Sequence, residues 1–348
     1  MLPTNSTDQL TRVPDAVLLR ILSAFGSNDL LKLRLICRRF QRVIAANLSY
    51  LARPTVECLR CQTFVDTEES RRQIHVQLKR RNRPLRSSTT TVDSTTTALA
   101  DQIESHLRSF VIEREIVIVS STIDEQLIQT FLSPIADLRR VSRLTFEFCH
   151  FNIAPTLFSE LVSRTSCSVL SIEFCKNIST IVNDELFAQI PQLDSLCLQV
   201  DSPFTHLDIT DSSLQHWCTQ KSLPTTLDLQ NAHVGFTING LIGLVQSLYF
   251  ALTSSSLKSN SHFFWRLGQC RGTTSELLNQ LRSSSIELQT PSVVLRFKRL
   301  HDGMIDVHLR LNEDCNNNSL NRLQRMVTNV SCDQLKRSSF SICFKLTC

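Results

Sequence analysis

The amino-acid sequence predicts an α/β protein in which a short helical module precedes repeated strand–helix units and a β-rich C-terminal region. Apolar side chains follow a helical spacing in residues 13–48, and leucines recur every 26 residues between residues 141 and 200. After residue 293, apolar and polar side chains alternate as in strands. Repetition at a fixed interval of roughly 20 to 50 residues indicates a stacked-repeat architecture. The predicted segments are residues 1–53, 54–97, 98–250 and 251–348.

The first segment contains three short predicted helices. In the first, from Pro14 to Phe25, the apolar residues share one face, Pro14 suits the first turn and Gly26 suits the position past the end. Two further helices follow, one with leucines in residues 30–35 and one that begins near Cys37. Because a module of this size cannot bury so many large apolar side chains by itself, we expect an apolar surface that a partner protein covers.

The same segment resembles the F-box motif over about 40 residues of the chain. The resemblance is carried by Val13-Pro14-Asp15, a first helix rich in Leu and Ile, Asp29-Leu30-Leu31, and Ile36-Cys37-Arg38-Arg39-Phe40. Three positions depart from the motif: Val13 replaces a leading Leu, Ala16 a usual Glu, and Phe40 a frequent Trp. The resemblance implies binding to the Skp-type adaptor of a cullin–RING ubiquitin ligase. The residues expected to contact the adaptor or to shape that surface are Pro14, Leu18, Ile21, Leu22, Leu31, Cys37 and Phe40.

Residues 54–97 are predicted to hold a strand hairpin, a basic run and a Ser/Thr-rich linker. Seven Lys or Arg residues and no acidic residue lie between Arg71 and Arg86, and residues 87–97 are nearly all Ser and Thr. The latter composition is typical of a flexible linker. We interpret the basic run as a solvated strand face, with a nuclear-import signal or a nucleic-acid patch as alternatives. It contains no aromatic residue to stack on bases, so we expect no nucleic-acid partner.

The repeat is clearest in three units, whose central leucines Leu144, Leu170 and Leu196 are 26 residues apart. The units read V-x-x-L-x-F-x-x-C, C-x-x-L-x-I-x-x-C and L-x-x-L-x-L-x-x-D, and each precedes a helical stretch. This pattern resembles the cysteine-containing leucine-rich repeats that often accompany an F-box. The resemblance implies inward leucines, with Cys149 and Cys175 also turned inward to bond loop backbones. Chance alternation inside a generic α/β domain is the alternative.

In such repeats the residues between the consensus leucines face a concave surface, where we expect the substrate to bind. The predicted substrate-binding residues are Glu147, Glu173, Gln199 and Asp228. The positions between the consensus leucines hold three carboxylates and no Lys or Arg. A surface with this negative charge favours a basic segment in the substrate. The alternative is that these carboxylates form a solvated face and that the substrate binds loops or the C-terminal region.

The C-terminal region is predicted to be a β-rich extension that covers the end of the repeats. Apolar residues alternate in residues 293–297, 305–311 and 340–346, which indicates three strands. A tight turn is expected at residues 301–303, and a helix at residues 319–327.

The sequence lacks the motifs of several enzyme classes. No GxxxxGK[ST], GxGxxG or GxSxG segment occurs among its seven glycines, and no HExxH segment is present. Cys58 and Cys61 have CxxC spacing, but no second pair lies nearby to complete a zinc site. His206, His216 and Cys218 lack the spacing of a metal site. We therefore expect no cofactor, no metal and no catalysis, with a thiol-dependent enzyme as the less favoured alternative.

These observations predict a substrate-recognition subunit of an SCF-type ubiquitin ligase, with the Skp-type adaptor and a protein substrate as partners. A non-ubiquitin interaction scaffold with leucine-rich repeats is the alternative. No uncharged run reaches the roughly 18 residues that a membrane span needs, and residues 1–10 lack the features of a secretory signal. A cytoplasmic or nuclear location without a membrane partner is therefore expected.

Overall fold

The computed structural model describes residues 13–48, 50–65, 72–80, 83–92, 97–190, 192–200, 205–220, 223–229, 231–253, 262–273, 276, 279–280, 293–299, 304–311 and 339–347. The turn predicted at residues 301–303 and the helix predicted at residues 319–327 lie outside these ranges. The protein is α/β with a mostly parallel sheet, which confirms the predicted fold class at that level. Within the described ranges, no helix combines the length and the apolar character that crossing a membrane requires.

The N-terminal module consists of three helices, α1 Asp15–Leu22, α2 Ser27–Leu33 and α3 Arg38–Ala46, as predicted from the apolar spacing. Cys37 caps α3, since its sulfur accepts a hydrogen bond from the Phe40 amide at 3.5 Å. The buried side chains of the module form a small core, separate from the core of the sheet: Leu18, Leu22, Leu30, Val43, Ile44 and Leu51.

Twelve strands form one sheet, and its central part is parallel. The parallel strands, in spatial order, are β1 Thr55–Val65, β4 Val111–Val119, β6 Arg143–Glu147, β8 Val169–Glu173, β9 Ser195–Gln199, β10 Thr226–Asp228, β11 His262–Arg271 and β14 Ser339–Thr347. Antiparallel strands extend both edges: β2 Arg72–Arg80 and β3 Arg83–Val92 beyond β1, and β13 Met304–Leu311 and β12 Val293–Arg299 beyond β14. A separate small sheet pairs β5 Thr122–Asp124 with β7 His150–Asn152.

Helices connect the central strands and pack on one face of the sheet. They are α4 Thr97–Ser109, α5 Glu125–Leu132, α6 Pro155–Ser163, α7 Asp184–Ala188, α8 Asp211–Thr219 and α9 Ile238–Thr253. On this face Leu144 pairs with Leu170, and Leu170 pairs with Leu196, all of them buried. The same row continues through Leu227 to Trp265. The interval of 26 residues therefore places one leucine of each unit in a shared core.

Cys149 and Cys175 follow β6 and β8 and turn into the core, as predicted. The Cys149 thiol donates to the Ile118 carbonyl at 3.4 Å, and the Cys175 thiol donates to the Phe146 carbonyl at 3.4 Å. The Cys149 amide also donates to the Cys175 sulfur at 3.2 Å. A side-chain hydrogen bond with the Cys149 thiol, together with burial, raises the pKa of the Cys175 thiol. Both thiols therefore serve to satisfy backbone groups at the ends of the strands.

Strand β3, Arg83–Val92, includes residues 87–92 of the predicted Ser/Thr-rich linker, so that prediction is wrong there. β3 pairs antiparallel with β2, and Thr89 lies opposite His75. Threonine is β-branched and favours extended strands, so its abundance is as compatible with a sheet as with a linker. Because β1 pairs with β4, residues 55–92 belong to the main sheet. The boundary predicted at residue 98 thus falls inside one domain.

The β-rich region predicted after residue 251 is present, but it lengthens the sheet instead of forming a separate unit. β11 pairs parallel to both β10 and β14, and its Trp265 side chain is buried in the common core. The Trp265 indole donates to the Pro224 carbonyl at 2.8 Å, which ties β11 to the loop before β10. The boundary at residue 251 therefore has no counterpart in the sheet.

Candidate protein-interaction surfaces

Large apolar side chains remain exposed on the N-terminal module. Leu35 is 86% exposed and Ile36 is 66% exposed, although folding normally buries these residue types. They lie in a turn after α2, where the Leu35 amide donates to the Lys32 carbonyl and the Ile36 amide donates to the Leu33 carbonyl. This turn holds both side chains away from the module's core. Further exposed apolar residues of the module are Val17, Ile21, Phe25 and Leu31.

An open cleft of about 560 Å³ lies beside this turn. Its lining combines apolar side chains from α2 and the turn with polar and basic ones: Leu31, Arg34, Leu35, Ile36, Cys37, Arg38 and Gln41. The composition suits a partner that inserts apolar groups into the cleft and carries acidic groups beside Arg34 and Arg38.

The seven residues predicted for adaptor binding fall into two groups. The exposed group, accessible to a partner, is Pro14, Ile21, Leu31 and Cys37. The other group lies in or against the module's core: Leu18, Leu22 and Phe40. Sequence reasoning missed the exposure of Leu35 and Ile36. The sequence feature that could have revealed this exposure is the Leu-Arg-Leu-Ile run at residues 33–36. This run holds more apolar side chains than one face of a short helix can bury.

An ion pair fixes α3 against the start of α1. Arg39 Nη2 lies 2.6 Å from Asp15 Oδ1, and the same guanidinium donates to the Val13 carbonyl. One side chain thus joins the two ends of the F-box-like segment and positions Pro14, which lies between its two partners in sequence.

The sheet face opposite the helices, called the outer face below, carries the predicted substrate-binding residues. Strand pairing places Glu147, Glu173 and Gln199 side by side on β6, β8 and β9. Asp228 lies on β10 in the neighbouring row, opposite Cys197. The structure therefore brings the first three residues together and sets Asp228 apart from them.

Two of the predicted carboxylates already have a basic partner. Glu147 Oε2 lies 3.3 Å from Arg60 Nη2 of β1, and both side chains are partly exposed. The buried Asp228 forms an ion pair with Arg266 of β11. The outer face is therefore less acidic than the repeat pattern predicted, because that pattern did not include the strands that supply Arg60 and Arg266.

Glu173 has a different environment. Its Oε1 accepts a hydrogen bond from the Ser171 hydroxyl at 2.5 Å, and its side chain is half-buried. Within the part of the chain that the structure describes, it forms no ion pair. The carboxylate is thus held in place by a neutral donor, while its charge remains available to a ligand.

Two phenylalanines lie directly after β6 and β8. Phe148 and Phe174 both have a φ of 54°, and their rings stack with centroids 5.3 Å apart and an interplanar angle of 16°. Phe148 is 60% exposed. Its amide donates to the Glu173 carbonyl at 2.9 Å, so the backbone of Phe148, just past the end of β6, lies directly beside Glu173 of β8. Sequence reasoning missed this pair, although both units carry the same Glu-Phe-Cys segment.

Three of the thiols considered for reactivity are protonated at neutral pH. Burial, with Glu115 as a second cause, raises the pKa of Cys58 to about 11, and burial raises the pKa of Cys61. Burial also raises the pKa of Cys218 to about 11. A nucleophilic cysteine needs the thiolate, so these positions do not support a thiol-dependent enzyme.

The histidines considered as ligands have other contacts. His206 lies beside His233, with ring centroids 4.8 Å apart, while His216 Nε2 lies 3.1 Å from Gln220 Nε2. Among the residues described, no group of three or more His, Cys, Asp or Glu side chains is arranged to hold a metal ion.

The two candidate interaction surfaces are therefore the exposed apolar residues of the module and the outer face of the sheet. No protein-family model matches the chain, and comparisons with curated proteins and with solved structures give no match.

Proposed function

We propose that this protein is the substrate-recognition subunit of an SCF-type ubiquitin ligase. The observation that carries the proposal is the exposed apolar surface of the N-terminal module, centred on Leu35 and Ile36. Leu31, Leu35 and Ile36 line one cleft, and exposed apolar side chains grouped in this way mark a protein interface. The F-box-like order of residues in the same segment supports the Skp-type adaptor as the partner.

Two layers of the module serve this interface. The buried leucines Leu18 and Leu22 hold the helices together, and the Arg39–Asp15 ion pair closes the ends of the segment. The exposed side chains then form the contact, with Leu35 and Ile36 beside the cleft. Apolar anchors that enter a pocket dominate the free energy of typical interfaces.

The module and the sheet have separate cores, which suits a protein with two binding functions. The module binds the ligase and the sheet domain holds the substrate. Such a protein contributes no bond-making group of its own. It raises the effective concentration of substrate lysines near the ubiquitin thioester of the conjugating enzyme.

The test is binding of the 348-residue chain to a purified Skp-type adaptor by calorimetry. In the Leu35→Glu/Ile36→Glu variant we expect at least a ~100-fold loss of affinity, since two apolar contacts are replaced by charges. The matched control is Gln126→Glu/Gln129→Glu, which adds the same charge on exposed positions of α5. It should bind like the unchanged chain.

Circular dichroism melting would establish that both variants are folded. Equal adaptor affinity in the Leu35/Ile36 variant and the control would refute the proposed interface. Absence of adaptor binding by the folded, unchanged chain would favour the interaction scaffold instead.

A further inference from the structure

The turn that contains Phe148 does not require phenylalanine. The residue after β4, Ser120, has a φ of 51°, and Asn231, which comes shortly after β10, has a φ of 65°. A left-handed residue at the end of the strand is therefore a feature of several units, and small or polar residues fill it elsewhere. A bulky aromatic residue is disfavoured in this conformation. The left-handed turn therefore does not account for the choice of phenylalanine at Phe148 and Phe174.

The exposed ring of Phe148 contributes little to the core. It is 60% exposed, and its ring partner Phe174 is itself half-buried. A strained backbone that presents an exposed aromatic pair is a feature from which function is properly inferred. We therefore infer that the aromatic pair of Phe148 and Phe174 binds a ligand.

The carboxylate next to this pair sets the charge of that ligand. Glu173 precedes Phe174 in sequence and neighbours Phe148 across the strands. It is oriented by Ser171 and carries no ion pair within the described residues. Next to it, Glu147 already binds Arg60. An anionic ligand would be repelled here, so the fitting group is a cation with an apolar or planar surface.

The sheet contains an internal example of this chemistry. The Arg266 guanidinium lies over the Phe264 ring, 5.4 Å from its centroid, and forms an ion pair with Asp228. One arginine thus contacts both a phenylalanine face and a carboxylate on the same outer face. Phe148 and Glu173 also supply a ring and a carboxylate, and within the described chain the arginines that stack on a phenylalanine do so at Phe110 and Phe264.

We propose that Phe148, Phe174 and Glu173 form a docking site for an arginine side chain in a basic segment of the substrate. The inference rests on the proposed function for the identification of its ligand as a substrate. The planar guanidinium stacks on the exposed aromatic ring and donates hydrogen bonds to Glu173. Lysine lacks the planar fork, so it satisfies the carboxylate but stacks less well.

The experiment uses the 348-residue chain and two fluorescein-labelled eight-residue peptides, Gly-Ser-Arg-Gly-Arg-Ser-Gly-Ser and the same peptide with lysine in place of each arginine. Fluorescence anisotropy measures their affinities. We expect the arginine peptide to bind roughly fivefold more tightly than the lysine peptide. We also expect Glu173→Gln to weaken arginine-peptide binding about tenfold. The matched control, Glu185→Gln, removes a charge from the exposed start of α7 and should leave binding unchanged.

A second variant separates binding from folding. Asn tolerates the left-handed conformation better than Phe, so Phe148→Asn should keep or raise the melting temperature. Its affinity for the arginine peptide should nevertheless fall roughly fivefold, because the ring is lost.

Several outcomes overturn the docking site. They are no binding of the arginine peptide, equal binding of both peptides, and unchanged binding by the Phe148 and Glu173 variants. A change in oligomeric state of Phe148→Asn without a change in peptide affinity would assign the pair to self-association instead. Adaptor affinity, measured on the same variants, should be unchanged. If the unchanged chain does not bind the adaptor, the ligase assignment is wrong, but the proposal of an arginine site is unaffected.

Discussion

Asp211 accepts two hydrogen bonds from Thr237, one from its amide at 2.8 Å and one from its hydroxyl at 2.6 Å. Asp184 accepts the same two bonds from Thr210, at 2.8 and 2.5 Å. Each threonine precedes a helix and also accepts a hydrogen bond in its first turn. The first-turn aspartate of one helix thus fixes the cap of the next, which couples successive units through charge-assisted bonds.

Two glycines of α9 test this coupling. A Cβ at Gly240 would lie 2.0 Å from Asp211 Oδ1, whereas a Cβ at Gly243 would meet no atom within 4 Å. Alanine is favoured over glycine inside a helix, so Gly243→Ala should raise the free energy of unfolding by about 0.5 to 1 kcal/mol. Gly240→Ala should lower it by roughly 1 to 2 kcal/mol, because Asp211 must leave Thr237. Urea denaturation measures both, and stabilisation by both substitutions would show that the contact contributes little.

The two ion pairs of the outer face should differ in their effect on stability. Asp228 is buried and pairs with the partly buried Arg266, so Asp228→Ala removes a buried ion-pair carboxylate and should cost about 3 kcal/mol. Glu147 and Arg60 are partly exposed to water, so Glu147→Ala should cost at most about 1 kcal/mol. Chemical denaturation at one ionic strength compares them directly. Similar losses from both substitutions would contradict the difference in burial.

Truncation tests where the sheet domain begins. A fragment of residues 98–348 lacks β1–β3, including the buried Leu59 and Val76, and should not melt cooperatively. A fragment of residues 53–348 retains these strands and also Arg53, which donates to the Leu107 and Ile135 carbonyls at 2.5 and 2.8 Å. It should fold. Calorimetry distinguishes the two fragments, and a cooperative transition of the shorter one would restore the linker interpretation.

The buried thiols predict a loss of stability at alkaline pH. The pKa values of Cys58 and Cys218 are each raised to about 11, mainly by burial. The unfolded chain therefore releases these protons first, near the ordinary thiol value, so folding stability falls as pH rises from about 9 to about 11. Denaturation midpoints at a series of pH values measure the slope. Cys218→Ala should make the slope shallower, and an unchanged slope in that variant would exclude Cys218 as a source.

The sequence predicted those parts of the fold that depend on local spacing. The 26-residue interval of Leu144, Leu170 and Leu196 identified their shared core row, because each leucine must reach the same core. The pairing of β1 with β4 joins segments about 57 residues apart, and no local period encodes it. This is why Arg60 was not foreseen beside Glu147. Likewise, the exposure of Leu35 depends on a turn that apolar spacing alone does not specify.

The antiparallel strands at both edges of the sheet limit how this protein can change in length. A unit inserted beside β2 or β13 would meet a neighbour that runs in the opposite direction, whereas between β4 and β11 every neighbour has the same direction. Insertion or deletion of a whole unit between β4 and β11 therefore preserves the direction of every strand pair. Duplication events in the interior would widen the outer face and leave the N-terminal helices unchanged.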